Sequence, residues 1–235
     1  MALDISGLDA GYGKMQVLWD VSLSVRRGET CVLLGANGAG KTTLLKAVMG
    51  LLPALAGTIS LSGTAIQGMR PDQRSRIGIA YMSEQAIFPS LSVAQNLALG
   101  GHGMSRGQLH ARLEEVYAIF PDIASRKRAQ AGSLSGGQRK MVGLAKTLVR
   151  DPVIMVLDEP SSGLSPLFVR EVVNLLAKTK GPDRALLIAE QNVGFLEIAD
   201  SVAVLEGGRV RFRGTLGDFR SDAQLREAFF GLGVE

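Results

Sequence analysis

The chain has 235 residues, 46% of them hydrophobic, with 26 Lys and Arg against 22 Asp and Glu for a net charge of +4. That is ample apolar material for a full core, so neither a disordered chain nor a small disulfide-stapled scaffold is expected. The positive charge is small and scattered, aromatics make up 5%, and the one short cluster, Arg126-Lys127-Arg128, reads as a solvated face, which argues against nucleic acid as a partner.

In chain order, strands are predicted at residues 3–8, at 21–25 with clear alternation, and at 31–34 as a continuous apolar run. Cys31, the only cysteine, opens that run and reads as a buried thiol in a reducing compartment. A glycine-rich loop follows. Leu44, Leu45, Val48 and Met49 then recur at helical spacing until Gly50 and Pro53 end the helix. Further strands are predicted at 77–82, 153–157, 185–189 and 202–205, with a helix over 167–178.

From about 91 to 149 the patterns are helical throughout. Ser105 and Gln108 have capping-box spacing ahead of a stripe at Leu109, Leu113, Val116, Tyr117 and Phe120, closed by Pro121. Residues 202–205 and 209–213 flank Gly207-Gly208, a hairpin signal. Strand–helix alternation predicts an α/β fold with a mostly parallel sheet. Its expected organisation is one domain, with an α/β core from 1–87 and 150–235 and an inserted helical subdomain at 88–149. No apolar run approaches the ~20 residues of a membrane span. The start, Met1-Ala2-Leu3-Asp4, lacks the blocks of a signal peptide. The expectation is a cytoplasmic chain whose membrane role is peripheral.

Three segments carry chemistry. Gly35-Ala36-Asn37-Gly38-Ala39-Gly40-Lys41-Thr42 fits G-x-x-x-x-G-K-[ST] between an apolar strand and a helix. Its glycines let successive N–H groups converge on phosphate oxygens, and the helix beginning at Thr42-Thr43 adds its positive end. Lys41 can reach the β- and γ-phosphates of ATP, and the Thr42 hydroxyl can ligate Mg²⁺. Residues 153–157 then deliver Asp158 and Glu159 to a strand's C-terminal edge, where open α/β sheets bind ligands. Asp158 suits Mg²⁺; Glu159 suits orienting or deprotonating the attacking water. Alone, such a pair reads as a solvated turn; alongside Lys41 it reads as catalytic. The third segment, Leu134-Ser135-Gly136-Gly137-Gln138, precedes a helical stripe at Met141, Leu144, Ala145 and Leu148. It offers a hydroxyl and uncovered N–H groups at a helix N-terminus, a second anion site in one chain.

In order and spacing these segments resemble the ABC transporter ATPases. The resemblance implies a P-loop NTPase (RecA-like) core, an N-terminal antiparallel β subdomain and an inserted α-helical subdomain. It also implies a head-to-tail dimer in which Ser135, Gly136 and Gly137 of one subunit clamp the γ-phosphate held by its mate, with Gln138 completing the signature. Tyr12 resembles the aromatic that stacks on adenine, and residues 161–164 the loop linking the two sites. Ser165 stands where many relatives have Asp; read from the residues, Ser165-Pro166 is an N-cap and first helical position.

Other positions depart from the family pattern. The loop after 77–82 usually carries a Gln that touches Mg²⁺; here Glu84 stands at that place with Gln85 beside it, and both are candidate metal contacts. The late switch His is replaced by Gln191. Its amide can donate to a γ-phosphate but cannot titrate near neutral pH. Glu159 is therefore the expected base, with Lys41 and Gln191 assisting. His102 and His110 lie in the helical insert and are expected at the surface.

With Phe88-Pro89, Leu91-Ser92-Val93, Asn96-Leu97 and Glu190-Gln191-Asn192, the chain most resembles the LivF-type ATPases of branched-chain amino-acid importers. That likeness implies a sister ATPase (or a second copy of the same chain), two membrane permease chains and an external solute-binding protein, at the cytoplasmic face of the membrane. A cytosolic ABC ATPase without transport, or a non-hydrolysing module marked by Gln191, are the alternatives.

Overall fold

The structure, a computed structural model, describes residues 1–230. Strands β1 (Leu3–Tyr12) and β2 (Met15–Val25) pair antiparallel across a turn at Gly13. Both run longer than predicted. Bulges between Ile5 and Gly11 break the alternation of β1 without ending its pairing. β3 (Thr30–Leu34) is buried at every residue, Val32 and Leu34 facing one core and Cys31 and Leu33 the other. This two-sided burial is why its sequence is a continuous apolar run. Burial also pushes the Cys31 thiol up to about 12.

Helix α1 (Lys41–Met49) ends at Gly50, whose φ of 77° suits glycine as expected. β4 (Ala54–Leu61) and β5 (Thr64–Ala65) escaped the sequence reading. β4 begins with Ala, Leu, Ala and Gly, weak strand formers that are largely exposed here, and is held by pairing with β1. The strand expected at 77–82 starts two residues late: Ile77 caps helix α2 (Pro71–Arg76), Gly78 turns the chain at φ 111°, and β6 is Ile79–Met82.

Helices α3 (Val93–Gly100), α4 (Arg106–Ile119), α5 (Pro121–Ser125) and α6 (Gly136–Leu148) follow, with no strand between them. Ser105 and Gln108 form the predicted capping box. Then come β7 (Ile154–Asp158), α7 (Pro166–Thr179), β8 (Ala185–Glu190), β9 (Ser201–Glu206), β10 (Arg209–Thr215), α8 (Leu216–Ser221) and α9 (Ala223–Phe230). Ser165 and Pro166 sit at the N-cap and first position of α7, but the Ser165 hydroxyl makes no capping bond. β9 and β10 form the expected hairpin.

Two sheets result. One is antiparallel in the order β2-β1-β4-β5; the other runs β10-β9-β3-β8-β7-β6, parallel except at β10. Leu44, Leu45 and Val48 of α1 fill the core between them, while α3, α6 and α7 cover the far face of the larger sheet. The Arg126-Lys127-Arg128 cluster, His102 and His110 are exposed, as expected. Among the described residues no helix is long and apolar enough to cross a membrane.

Arg74 fixes the C-terminal end of α1. It is 2% exposed, and its guanidinium donates to the carbonyls of Ala47 (2.7 Å), Val48 (2.8 Å), Met69 (3.0 Å) and Gln67 (3.1 Å). Removing it strands four acceptors, two of them on the last turn of α1. Arg74→Met should lower the unfolding free energy by about 2–4 kcal/mol in urea titration, with Arg74→Lys recovering only part because a single ammonium cannot span the fork.

Candidate functional site

Loop 35–40 leaves the C-terminal end of β3 and enters α1. Two of its glycines are required by geometry. Gly40 has φ 107°, and a Cβ on Gly35 would lie 2.5 Å from the Leu205 carbonyl oxygen. The Lys41 side chain, 4% exposed, folds back beneath the loop and donates to the carbonyls of Gly35 (2.8 Å) and Ala36 (3.2 Å). Its Nζ also stands 3.2 Å from Oε1 of Glu159.

Parallel pairing of β7 with β8 sets Asp158 opposite Ala189, so the acidic pair and residues 190–191 leave the sheet side by side. Asp158 is 3% exposed; its Oδ1 accepts from the Thr42 hydroxyl (3.0 Å) and its Oδ2 from the Tyr81 hydroxyl (3.1 Å). Burial raises its pKa, and those two bonds oppose the rise. Burial, with the Asp158 charge, raises that of Tyr81. Glu159 occupies a left-handed turn (φ 45°), its N–H held by the Ala189 carbonyl at 2.9 Å. Gln191 spans the cleft: its Nε2 donates to Asn37 Oδ1 at 2.6 Å and to Glu159 Oε1 at 3.3 Å.

The cleft these groups enclose has a volume of about 540 Å³ and is also lined by Gly38, Thr43 and Lys46. Glu84 and Gln85 both line it and both are exposed. The Glu84 carboxylate accepts a 3.5 Å bond from the Ser162 hydroxyl. Tyr12, at the end of β1, lies outside the lining, 45% exposed, with Lys46 Nζ 5.7 Å from its ring centre. Lys46 thus links the ring to the cleft.

Residues 135–138 lie elsewhere. Ser135 caps α6, accepting from the Gln138 N–H (3.3 Å) while Gln138 Oε1 accepts from the Ser135 N–H (3.1 Å). The cap uses an oxygen lone pair and leaves the hydroxyl proton to donate. Ser135 and Gly136 are exposed, and Gly137 is buried under the Phe168 ring. None of the four lines the Lys41 cleft.

The cleft fits a magnesium-bound polyphosphate. Among the described residues no three His, Cys, Asp or Glu side chains could cage a metal. A hydroxyl and a carboxylate 3.0 Å apart are the hard oxygen donors with which proteins hold Mg²⁺ alongside phosphate oxygens.

Three contributors went unread in the sequence. Tyr81 was visible only as a strand residue. Glu190, 3% exposed, accepts from the N–H groups of Ser161 (2.8 Å), Gln191 (3.1 Å) and Asn192 (3.3 Å) and so ties the two acidic turns together. Lys140 lies under the Glu159 turn. Its signal was its spacing, since Gly137, Lys140, Met141 and Leu144 fall on one buried face of α6.

The ABC transporter family model matches residues 18–162. The chain is 34% identical to the high-affinity branched-chain amino acid transport ATP-binding protein BraG of Pseudomonas aeruginosa, over 94% of this chain and 95% of that one. It is 32% identical to the probable branched-chain amino acid transport ATP-binding protein LivF of Archaeoglobus fulgidus, over 96% and 97%. Among solved structures, an ATP binding subunit of an ABC transporter superposes with a TM-score of 0.83 at 29% identity, covering 98% of this chain and 97% of that one. A nucleotide-free cassette from an ABC transporter, at 24% identity, shares the fold with a TM-score of 0.84 over 99% of both chains. A match over most of the chain, with relatives alike along nearly their whole length, makes this an ABC transporter family member, an ATP-binding and ATP-hydrolysing subunit with the P-loop NTPase fold.

Proposed function

We propose that the chain powers an importer, coupling Mg-ATP hydrolysis at a head-to-tail ATPase dimer to uptake of a small solute. The class of solute favoured is the branched-chain amino acids, from the transport systems to which the relatives BraG and LivF are assigned. The observation that carries the dimer is a separation. The phosphate loop, Asp158 and Glu159 share one cleft, with Gln191 bonded to Asn37 and Glu159, while the N-terminus of α6 with Ser135 and Gly136 opens to solvent away from it. A second chain, either a sister ATPase or another copy, would bring its own Ser135, Gly136 and Gly137 to that cleft. Permease chains in the membrane and, beyond them, a solute-binding protein are the remaining partners, with this chain peripheral at the cytoplasmic face. In this reading residues 88–149 form the helical subdomain and residues 1–87 and 150–235 the nucleotide-binding core.

The chemistry follows from the resting contacts. Loop N–H groups and the start of α1 bind the phosphates. Lys41, drawn to the β- and γ-phosphate oxygens, leaves Glu159 and frees its carboxylate to accept a proton from the attacking water. Gln191 holds that carboxylate and the loop residue Asn37 together and carries no proton itself. Magnesium, when bound, neutralises phosphate charge; Thr42 and Asp158 would hold it, with Glu84 or Gln85 at the rim.

Glu159→Gln should keep ATP affinity within about threefold while turnover falls about 100-fold or more, and should accumulate a nucleotide-bound dimer seen by light scattering. Wild-type turnover in this variant would remove Glu159 as the base. Lys41→Ala should weaken ATP binding by about tenfold or more in fluorescence titration, because the phosphates lose a buried cation. Purification with an integral membrane complex separates the transport reading from a cytosolic one.

A further inference from the structure

Lys140 is a lysine on the buried face of a helix, 8% exposed, two residues past the segment that caps α6. Its ammonium donates to two backbone carbonyls from different loops, Glu84 at 3.3 Å and Glu159 at 3.1 Å. Burial lowers its pKa below that of an ordinary lysine, and the carboxylates of Glu84, Glu190, Glu159 and Asp158 pull it back upward. It is the counterpart of Lys41. One ammonium meets the Glu159 side chain from the nucleotide side; the other holds the Glu159 peptide from the helical side. Only the first has a reason to move when ATP arrives.

We propose that Lys140 is a positioning residue for hydrolysis, its ammonium joining helix α6 to the Glu159 turn and to loop 83–87. The inference rests on Glu159 being the base. The left-handed turn at Glu159 is costly for a residue with a side chain, and persists because the peptides on both sides of its Cα are held. The Ala189 carbonyl takes its N–H, and Lys140 donates to its C=O. Tilting that peptide would swing the carboxylate away from the attacking water. The same ammonium fixes the backbone of Glu84, whose side chain meets Ser162 in the loop after the acidic pair. The Glu159 turn and loop 83–87 therefore share one cationic knot, anchored on the helix that carries Ser135 at its head.

The test compares Lys140→Met, Lys140→Gln and Lys140→Arg with wild type and with Glu159→Gln, all as full-length chains. Lys140→Met keeps length without donors; it should lower kcat about tenfold or more and leave the KM for ATP within about threefold. Lys140→Gln keeps a neutral donor and should recover much of kcat. Lys140→Arg, which keeps both charge and donors, should restore the rate more fully than Lys140→Gln.

Amide exchange supplies a readout free of hydrolysis. Residues 83–87 and 159–163 should exchange faster in Lys140→Met while β3 and β8 keep their protection. A kcat within twofold of wild type, or exchange that rises evenly over the whole chain, overturns the proposal. If Glu159→Gln turns over like wild type, it is the base assignment that has failed, and the exchange pattern alone decides whether Lys140 ties the loops.

Discussion

Parallel pairing of β7 and β8 brings buried Asp158 and Glu190 and half-buried Glu159 to one edge of the sheet, and that concentration of acid governs what is built around it. Carboxylates taken out of water are costly unless each oxygen finds a donor. Here each of the three carboxylates has donors, those of Glu159 both on Oε1. Asp158 has the hydroxyls of Thr42 and Tyr81, Glu159 has Lys41 and Gln191, and Glu190 has three backbone N–H groups. Those donors come from α1, from β6 and from the turns after β7 and β8. Folding the sheet and assembling the site are thus one event, since the acids cannot be buried until the donors are in place.

The pairing also defines a resting state. Lys41 is engaged with the Gly35 and Ala36 carbonyls and with Glu159, so the buried cation of the loop and the Glu159 carboxylate neutralise one another. In the function proposed above, a triphosphate would break this internal pair and release both partners. Gln191 fits such a design. Being neutral, it can bridge Asn37 and Glu159 without adding a charge of its own.

What could be read in the sequence follows burial. β3, β7 and β8 are covered on both faces and declare themselves as apolar runs; the P-loop and acidic pair follow from them because those residues stand at strand ends. β4 was invisible because Leu55, Ala56, Gly57 and Thr58 are exposed and its stability comes from β1, fifty residues away in sequence. Glu190 and Lys140 were unreadable for a related reason. Their partners are mostly backbone groups of other loops, and backbone leaves no trace in residue identity. The distance between the Ser135 segment and the Lys41 cleft is likewise a property of the assembled fold.

Cys31 has a practical consequence. It lies in the middle of the larger sheet, 1% exposed, with its thiol held near 12 by burial. Only the thiolate reacts with maleimides and iodoacetamides, and at neutral pH this sulfur offers almost none. A cysteine introduced at the cleft rim or at the head of α6 would therefore be the sole reactive handle. Fluorophores or spin labels could report on those surfaces in the native chain, with no cysteine-free background to be made first.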